Sequence, residues 1–238
     1  MKKIKFGKFD EFSSQSKESY KTLRTNIGFC GSDIKVIALT SCLPNEGKSQ
    51  VAFNLGFSLA ENGSKVVIVD ADLRKSVIVG RYKLGAVDAG LTHYLSGQKK
   101  ISDIIYSTDI ENVDLIFSGV HAPNPTELLE KDSFKELIEE LKEKYDYVLI
   151  DTPPIGSVID AAIVSQFVDG VIMVIATGEI SRKFAIDTAE QLRKSGCKIL
   201  GAVLNKVVFN KGGRYGYGKY YGKYYGKYYG KYYGKYED

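Results

Sequence analysis

The run Val36-Ile37-Ala38-Leu39-Thr40-Ser41-Cys42-Leu43-Pro44-Asn45-Glu46-Gly47-Lys48-Ser49 decides the fold. Val36 to Leu39 is an unbroken apolar stretch of strand length, the pattern of a strand buried on both faces. Turn residues follow, and from Ser49 to Glu61 apolar side chains recur at helical spacing. A strand, a tight loop and a helix N-terminus in that order form a cradle of backbone N–H groups for phosphate. Gly47 permits close backbone approach, Lys48 reaches toward β- and γ-phosphates, and the Ser49 hydroxyl suits Mg²⁺. A strict Walker A match fails, because Cys42 stands where the first Gly belongs. Gly-Lys-Ser alone also reads as a solvated turn; its setting after a strand and before a helix is what singles it out.

The same alternation continues along the chain. Apolar runs Val66–Val69, Val113–Phe117, Tyr147–Ile150, Val171–Ile175 and Ile199–Leu204 read as strands. Segments of helical period lie at Ser16–Phe29, Ser49–Glu61, Thr126–Lys144, Ala161–Phe167 and Ser181–Lys194, with Asn124 or Thr126 as caps for the third. Strands alternating with helices predict an α/β fold: a P-loop NTPase with a mostly parallel central sheet flanked by helices. Ligands then gather at the carboxyl ends of the strands. Two runs deliver carboxylates there, Val66-Val67-Ile68-Val69-Asp70-Ala71-Asp72 and Tyr147-Val148-Leu149-Ile150-Asp151-Thr152-Pro153-Pro154. Asp72 and Asp151 suit Mg²⁺, which takes carboxylates together with phosphate oxygens and waters. Asn205, at the end of the last strand, either contacts the adenine or simply terminates the strand.

The organisation reads as a polar, helical segment 1–30, a P-loop domain 31–210 and a tail 211–238. The chain has 238 residues and a net charge of +4, but seven basic residues against two acidic ones put that charge in the tail. The tail repeats Gly-Lys-Tyr-Tyr and contains no aliphatic side chain, so it is expected to be disordered on its own. Three scattered cysteines, Cys30, Cys42 and Cys197, give no disulfide framework, and the lone His93 and His121 build no zinc site with them. Neither a signal peptide nor a membrane-spanning run is evident. The chain is expected to be soluble and cytosolic.

Taken together, these motifs resemble the bacterial tyrosine kinases, specifically the separate cytoplasmic kinase of the CpsD/CapB type. The variant P-loop matches Ser41 to Ser49, the D-x-D motif with a following Arg matches Asp70, Asp72 and Arg74, the Walker B strand matches Val148 to Pro153, and the tyrosine cluster matches the tail. The resemblance implies an ATP- and Mg²⁺-dependent kinase. Asn45, Glu46, Gly47, Lys48, Ser49, Gln50 and Asn205 would bind nucleotide, and Ser49, Asp72 and Asp151 the metal. Lys48, Asp70 and Asp72 would be catalytic, with Asp70 as the base, although sequence does not separate Asp70 from Asp72. The phosphorylated residues would be Tyr215, Tyr217, Tyr220, Tyr221, Tyr224, Tyr225, Tyr228, Tyr229, Tyr232, Tyr233 and Tyr236. The family's ring-forming E-x-x-R-x-x-R motif corresponds to Glu18, Lys21 and Arg24, where Lys21 keeps the charge of the first Arg but loses its bidentate fork. Further implied are a homo-oligomer of up to eight subunits, a membrane-anchored activator that recruits the kinase to the inner membrane face, a cognate phosphatase, and control of capsular or exopolysaccharide synthesis or export.

Two other functions fit parts of the sequence. A MinD/ParA-type ATPase shares the expected fold, but its signature Lys falls at Leu43. A nucleic-acid binder would use the Tyr/Gly/Lys tail for stacking and phosphate pairing and leaves the nucleotide loop unexplained, so no nucleic-acid partner is expected. Lys48 is read as a residue of a solvated loop, dispensable for folding.

Overall fold

The computed structural model describes residues 2–5, 14–82 and 87–207. In chain order the elements are β1 (Lys2–Ile4), α1 (Ser14–Phe29), β2 (Val36–Ser41), α2 (Lys48–Ala60), β3 (Val66–Asp70), α3 (Ile78–Arg81), α4 (Leu91–Leu95), α5 (Ile101–Ile104), β4 (Ile105–Thr108), β5 (Val113–Ile116), α6 (Pro125–Leu129), α7 (Asp132–Lys144), β6 (Tyr147–Asp151), α8 (Asp160–Val164), a 3₁₀ turn (Ser165–Phe167), β7 (Gly170–Ala176), α9 (Arg182–Lys194) and β8 (Ile199–Asn205).

The strands form one sheet in the order β1-β4-β5-β3-β6-β2-β7-β8. From β5 to β8 every neighbouring pair is parallel, as the unbroken apolar runs predict. At the far edge β4 is antiparallel to β5, and β1 pairs parallel to β4. These two short edge strands escape sequence reading, because three or four residues carry too little period to register.

Successive residues of the central strands enter opposite cores. Val36, Ala38, Val67, Val69, Val148 and Ile150 pack with Phe134, Leu137, Leu141 and Leu192 of α7 and α9. Ile37, Leu39, Val66, Ile68 and Leu149 pack with Phe53, Leu55 and Leu59 of α2 and Ile27 of α1. Burial on both faces is why these strands lack polar alternation. β8 departs from that expectation: Gly201, Ala202 and Leu204 are exposed. At the start of β2, Asp169 accepts from the Lys35 and Val36 N–H groups at 2.9 and 2.8 Å and pairs with Lys142.

The expected single helix 126–144 is two helices. Lys131 leaves helical geometry (φ −67°, ψ 148°) and α7 restarts at Asp132. Leu129 and Phe134 are both fully buried, and five residues apart on one straight helix they would point about 140° away from each other. The break lets both reach the core. Pro125 opens α6, and neither Asn124 nor Thr126 caps it with a side-chain bond. The expected helix 161–167 likewise ends at Val164 and tightens into the 3₁₀ turn.

The register sets Leu39 and Asp70 on either side of Asp151. The carboxyl ends of β2, β3 and β6 therefore converge at the centre of the sheet, where the loop after β2 turns into α2. That is the crevice an open α/β sheet offers a ligand.

Candidate functional site

The loop between β2 and α2 takes its shape from two left-handed residues, Asn45 (φ 66°) and Gly47 (φ 91°, ψ 19°). Asn tolerates this region and Gly occupies it without a Cβ penalty. A Cβ on Gly47 would lie 2.2 Å from Nδ2 of Asn205, which donates to the Glu46 carbonyl at 2.8 Å. The Glu46 side chain is fully buried and turned away from the cleft. One carboxylate oxygen accepts from the Leu43 N–H at 2.7 Å, inside the loop. The other accepts from the Ala176 N–H at 3.1 Å, at the end of β7. What Glu46 can offer a nucleotide is thus its backbone, while its side chain braces the loop. Asn205 ends β8, as one reading of that position expects, and its side chain clamps the loop, which neither reading anticipates.

The loop after β6 is stitched to the nucleotide loop. Thr40 Oγ1 donates to the Pro153 carbonyl at 2.9 Å, the Ile155 N–H donates to the Ser41 carbonyl at 2.9 Å, and a Cβ on Gly156 would meet the Cys42 carbonyl oxygen at 2.2 Å. Pro153 and Pro154 form one wall of a cleft of about 220 Å³, whose other lining residues include Asn45, Gly47, Lys48, Ser49, Asp72, Arg74, Lys75, Val77 and Val158.

Lys48 is not the solvated side chain its loop position predicts. It is 12% exposed, with Nζ 3.5 Å from Asp72 and 3.9 Å from Asp151. Removing it would leave two carboxylates, both mostly buried, without that cation. Asp72 lines the cleft, and its other oxygen accepts from the Lys75 N–H at 3.0 Å. Asp70 lies behind it, 2% exposed, accepting from the Asp72 N–H at 3.2 Å and from the Ser76 hydroxyl. Burial, and then the charge of Asp151, pushes the Asp70 carboxyl up to about 7, against the Ser76 bond that lowers it. The two adjacent acids thus differ in environment: one faces the cleft, the other is enclosed.

The donor set suits a small hard cation. Among the described residues no group of three His, Cys, Asp or Glu side chains is arranged to hold a metal by itself. A hydroxyl and two carboxylates beside a phosphate cradle instead match Mg²⁺, which fills its octahedron with phosphate oxygens and waters.

Sequence reading singles out Arg74 but misses what holds it. Its Nε and Nη2 donate to the two oxygens of Asp160 at 2.8 and 2.9 Å, and Nη2 also donates to Thr126 Oγ1 at 2.9 Å. Thr126 in turn donates to Asp160 at 3.0 Å. Asp160 is the one charge in Val158-Ile159-Asp160-Ala161-Ala162, a signal that only becomes legible once that run is known to pack beside the cleft.

On α1, Lys21 pairs with Glu18 at 3.4 Å on an exposed face, whereas Arg24 donates to the Ser58 carbonyl of α2. Gln50 is exposed on the first turn of α2, outside the cleft lining. The eleven tail tyrosines lie outside the described residues. Among the described residues no helix is long and apolar enough to cross a membrane.

The AAA domain family matches residues 34–204, from before β2 into β8. Tyrosine-protein kinase CpsD of Streptococcus agalactiae is 41% identical over 208 residues, covering 87% of this chain and 91% of that protein. The kinase domain of Escherichia coli tyrosine kinase ETK superposes with a TM-score of 0.79 at 31% identity, over 85% of this chain and 80% of that one. The septum site-determining protein MinD of Pyrococcus horikoshii OT3, solved with Mg-ADP, reaches a TM-score of 0.62 at 30% identity over 72% of this chain and 70% of that one. A tyrosine kinase thus matches more of the chain, and more closely, than the septum-site ATPase does.

Proposed function

The chain belongs to the bacterial tyrosine-protein kinases of the CpsD/CapB type, a nucleotide-binding enzyme family, and from that premise we propose that it uses Mg-ATP to phosphorylate its own tail, Tyr215 to Tyr236, between subunits. The single observation that carries the nucleotide reading is the convergence of Lys48, Asp72 and Asp151 beside a left-handed glycine at the start of α2. The Mg-ADP in the related MinD structure supports the metal.

Phosphoryl transfer asks a protein mainly for positioning and charge stabilisation. The backbone from Asn45 to Ser49, with the first turn to Gln50, is the proposed phosphate cradle, and Asn205 holds its shape through the Glu46 carbonyl. Lys48 supplies positive charge at the transferred group. Ser49, Asp72 and Asp151 are the proposed Mg²⁺ ligands; a bound Mg²⁺ would neutralise phosphate charge. Asp70 is the proposed base: its carboxyl, raised to about 7, is matched to accept a proton at neutral pH, and the tyrosine hydroxyl would have to approach it from the cleft that Asp72 lines.

The tail suits an acceptor, since its 28 residues carry eleven tyrosines separated by glycines and lysines. Assembly through Glu18, Lys21 and Arg24 into a ring of up to eight copies is part of the same reading. So are recruitment to the inner membrane face by a membrane-anchored activator, reversal by a tyrosine phosphatase, and a role in capsular or exopolysaccharide synthesis. The alternatives, a MinD/ParA-type ATPase or a tail that binds nucleic acid, produce no phosphotyrosine. Incubation with Mg-ATP followed by mass measurement of the intact chain and of its fragments is the test. Phosphoryl increments confined to the tail are expected, and an unmodified tail would refute the proposal. For trans transfer, a Lys48→Met chain with its tail is mixed with an active chain ending at Asn210, and phosphotyrosine is expected on the Lys48→Met chain.

A further inference from the structure

Asp160 is a carboxylate with 0% exposure, and its hydrogen bonds all go to Arg74 and Thr126. Burying an ion pair costs desolvation that its attraction repays only with good geometry, so such a pair is weak evidence of a stability role. Here the geometry is bidentate, the arrangement that fixes the plane of a guanidinium as well as its charge. Thr126, on α6, closes the triangle by bonding both partners. Three separate segments, the loop after β3, α6 and the start of α8, thus converge on one side chain. That side chain is 37% exposed, and it lines the cleft together with Lys48 and Asp72. With Nε and Nη2 engaged, Nη1 has no hydrogen-bond partner among the described residues. A planar donor locked along one edge, with a free edge beside a phosphate cradle, is preorganised for an oxyanion.

We propose that Arg74 directs Nη1 at the phosphoryl group in transit from nucleotide to tyrosine, and that Asp160 and Thr126 are positioning residues that hold it there. Arg74 makes and breaks no covalent bond; it stabilises the charge spread over the equatorial oxygens of the group being transferred. A lysine at 74 would keep the charge but could not be gripped along one edge while presenting the other.

The inference rests on the nucleotide reading of the cleft, and the experiment separates the two. Full-length chains carrying Arg74→Lys, Thr126→Val, Asp160→Asn or Lys48→Met are compared with the unaltered chain for kcat and KM of phosphotyrosine formation with Mg-ATP, and for melting temperature. Arg74→Lys is expected to lower kcat about 10–100-fold, the scale of one hydrogen bond to a charged group, with KM for ATP within threefold. Thr126→Val, which leaves the ion pair and tests the geometry without unburying a charge, is expected to lower kcat several-fold in the same direction. Added to Arg74→Lys it should have no further effect, because the residues act as a unit. Asp160→Asn is read only if its melting temperature shows a folded chain, and is expected to match Arg74→Lys. Wild-type kcat in Arg74→Lys, alongside lost activity in Lys48→Met, would overturn the inference and leave the nucleotide cleft standing. A rise in KM for ATP matching the fall in kcat/KM would also overturn it, by placing Arg74 in ground-state nucleotide binding. Wild-type activity in Lys48→Met would instead sink the cleft reading itself.

Discussion

Gly47→Ala is the substitution whose cost can be worked most directly from the loop. Gly47 sits at φ 91° and ψ 19°, a left-handed conformation that costs an L-residue roughly 1–2 kcal/mol. The new methyl would also lie 2.2 Å from Asn205 Nδ2. That atom ends a flexible side chain and can move aside, but only by giving up its 2.8 Å bond to the Glu46 carbonyl, about 0.5–1.5 kcal/mol. The total is about 2–3 kcal/mol, charged against the loop conformation that cradles phosphate. If the free loop relaxes and must be restored on binding, nucleotide affinity falls about 30–160-fold. If the loop keeps its shape, the cost appears in the fold, as a melting temperature lower by about 4–10 °C. Titration with nucleotide and a thermal melt on the same preparation read both. The double variant Gly47→Ala/Asn205→Ala should add less than the sum of its parts, since the contact is lost only once. Unchanged affinity together with an unchanged melting temperature would refute the strained-loop reasoning.

Asp72→Ala and Asp151→Ala should each weaken binding of Mg-nucleotide about 10–100-fold, whereas Asp70→Ala should spare binding and lower turnover about 10²–10⁴-fold; equal losses of affinity in all three would remove the division of labour. Burial alone would raise Asp169, but Lys142 and the Val36 and Lys35 N–H groups outweigh it, so its carboxyl lies below the ordinary range. Its contribution to stability is therefore complete above the ordinary carboxylate pKa and fades as pH falls through the lowered one. Lys142→Met should melt about 1–4 °C lower at neutral pH, and the difference should vanish in acid; a gap that persists there would show that the charge pair is not its source. If the tail is phosphorylated as proposed, each phosphotyrosine adds about −1.5 to −2 charges, so about three would cancel the tail's excess of five positive charges. Light scattering before and after Mg-ATP should then show the proposed assembly shrinking as phosphate accumulates, and a constant mass would show that tail charge does not control it.

The central sheet is legible in the sequence because strands buried on both faces need no polar residues, and runs such as Val66–Val69 announce themselves. The edge strands β1 and β4 are not, since Lys2–Ile4 and Ile105–Thr108 are too short for any period to emerge. The break at Lys131 is hidden because helix period reports local spacing, while the demand that Leu129 and Phe134 share a core is tertiary. Lys48, Asp72 and Asp151 are readable as site candidates because each stands at the end of a readable element. Ser76, Thr126 and Asp160 are invisible for the opposite reason: their meaning lies in pairings across 6, 52 and 86 residues, which no linear pattern carries. The bracing by the Glu46 side chain goes unread for a related reason, as motif spacing locates a residue without telling which way its side chain faces.

The bond of Glu46 to Ala176, with Asn205 closing on its carbonyl, means that the loop's conformation is held in part from outside its own ten residues. Such a loop is not a portable module. Grafted from Thr40 to Ser49 onto another sheet, it would arrive with a carboxylate seeking an N–H at the end of a neighbouring strand and a carbonyl seeking an amide from the strand beyond. Without those two donors the acid would keep only its bond to the Leu43 N–H inside the loop, and the loop would lose its ties to the sheet. Each of the two outside bonds joins a side chain to main chain, Glu46 to the Ala176 N–H and Asn205 to the Glu46 carbonyl, so substitutions at Glu46 and at Asn205 should loosen the loop independently of each other.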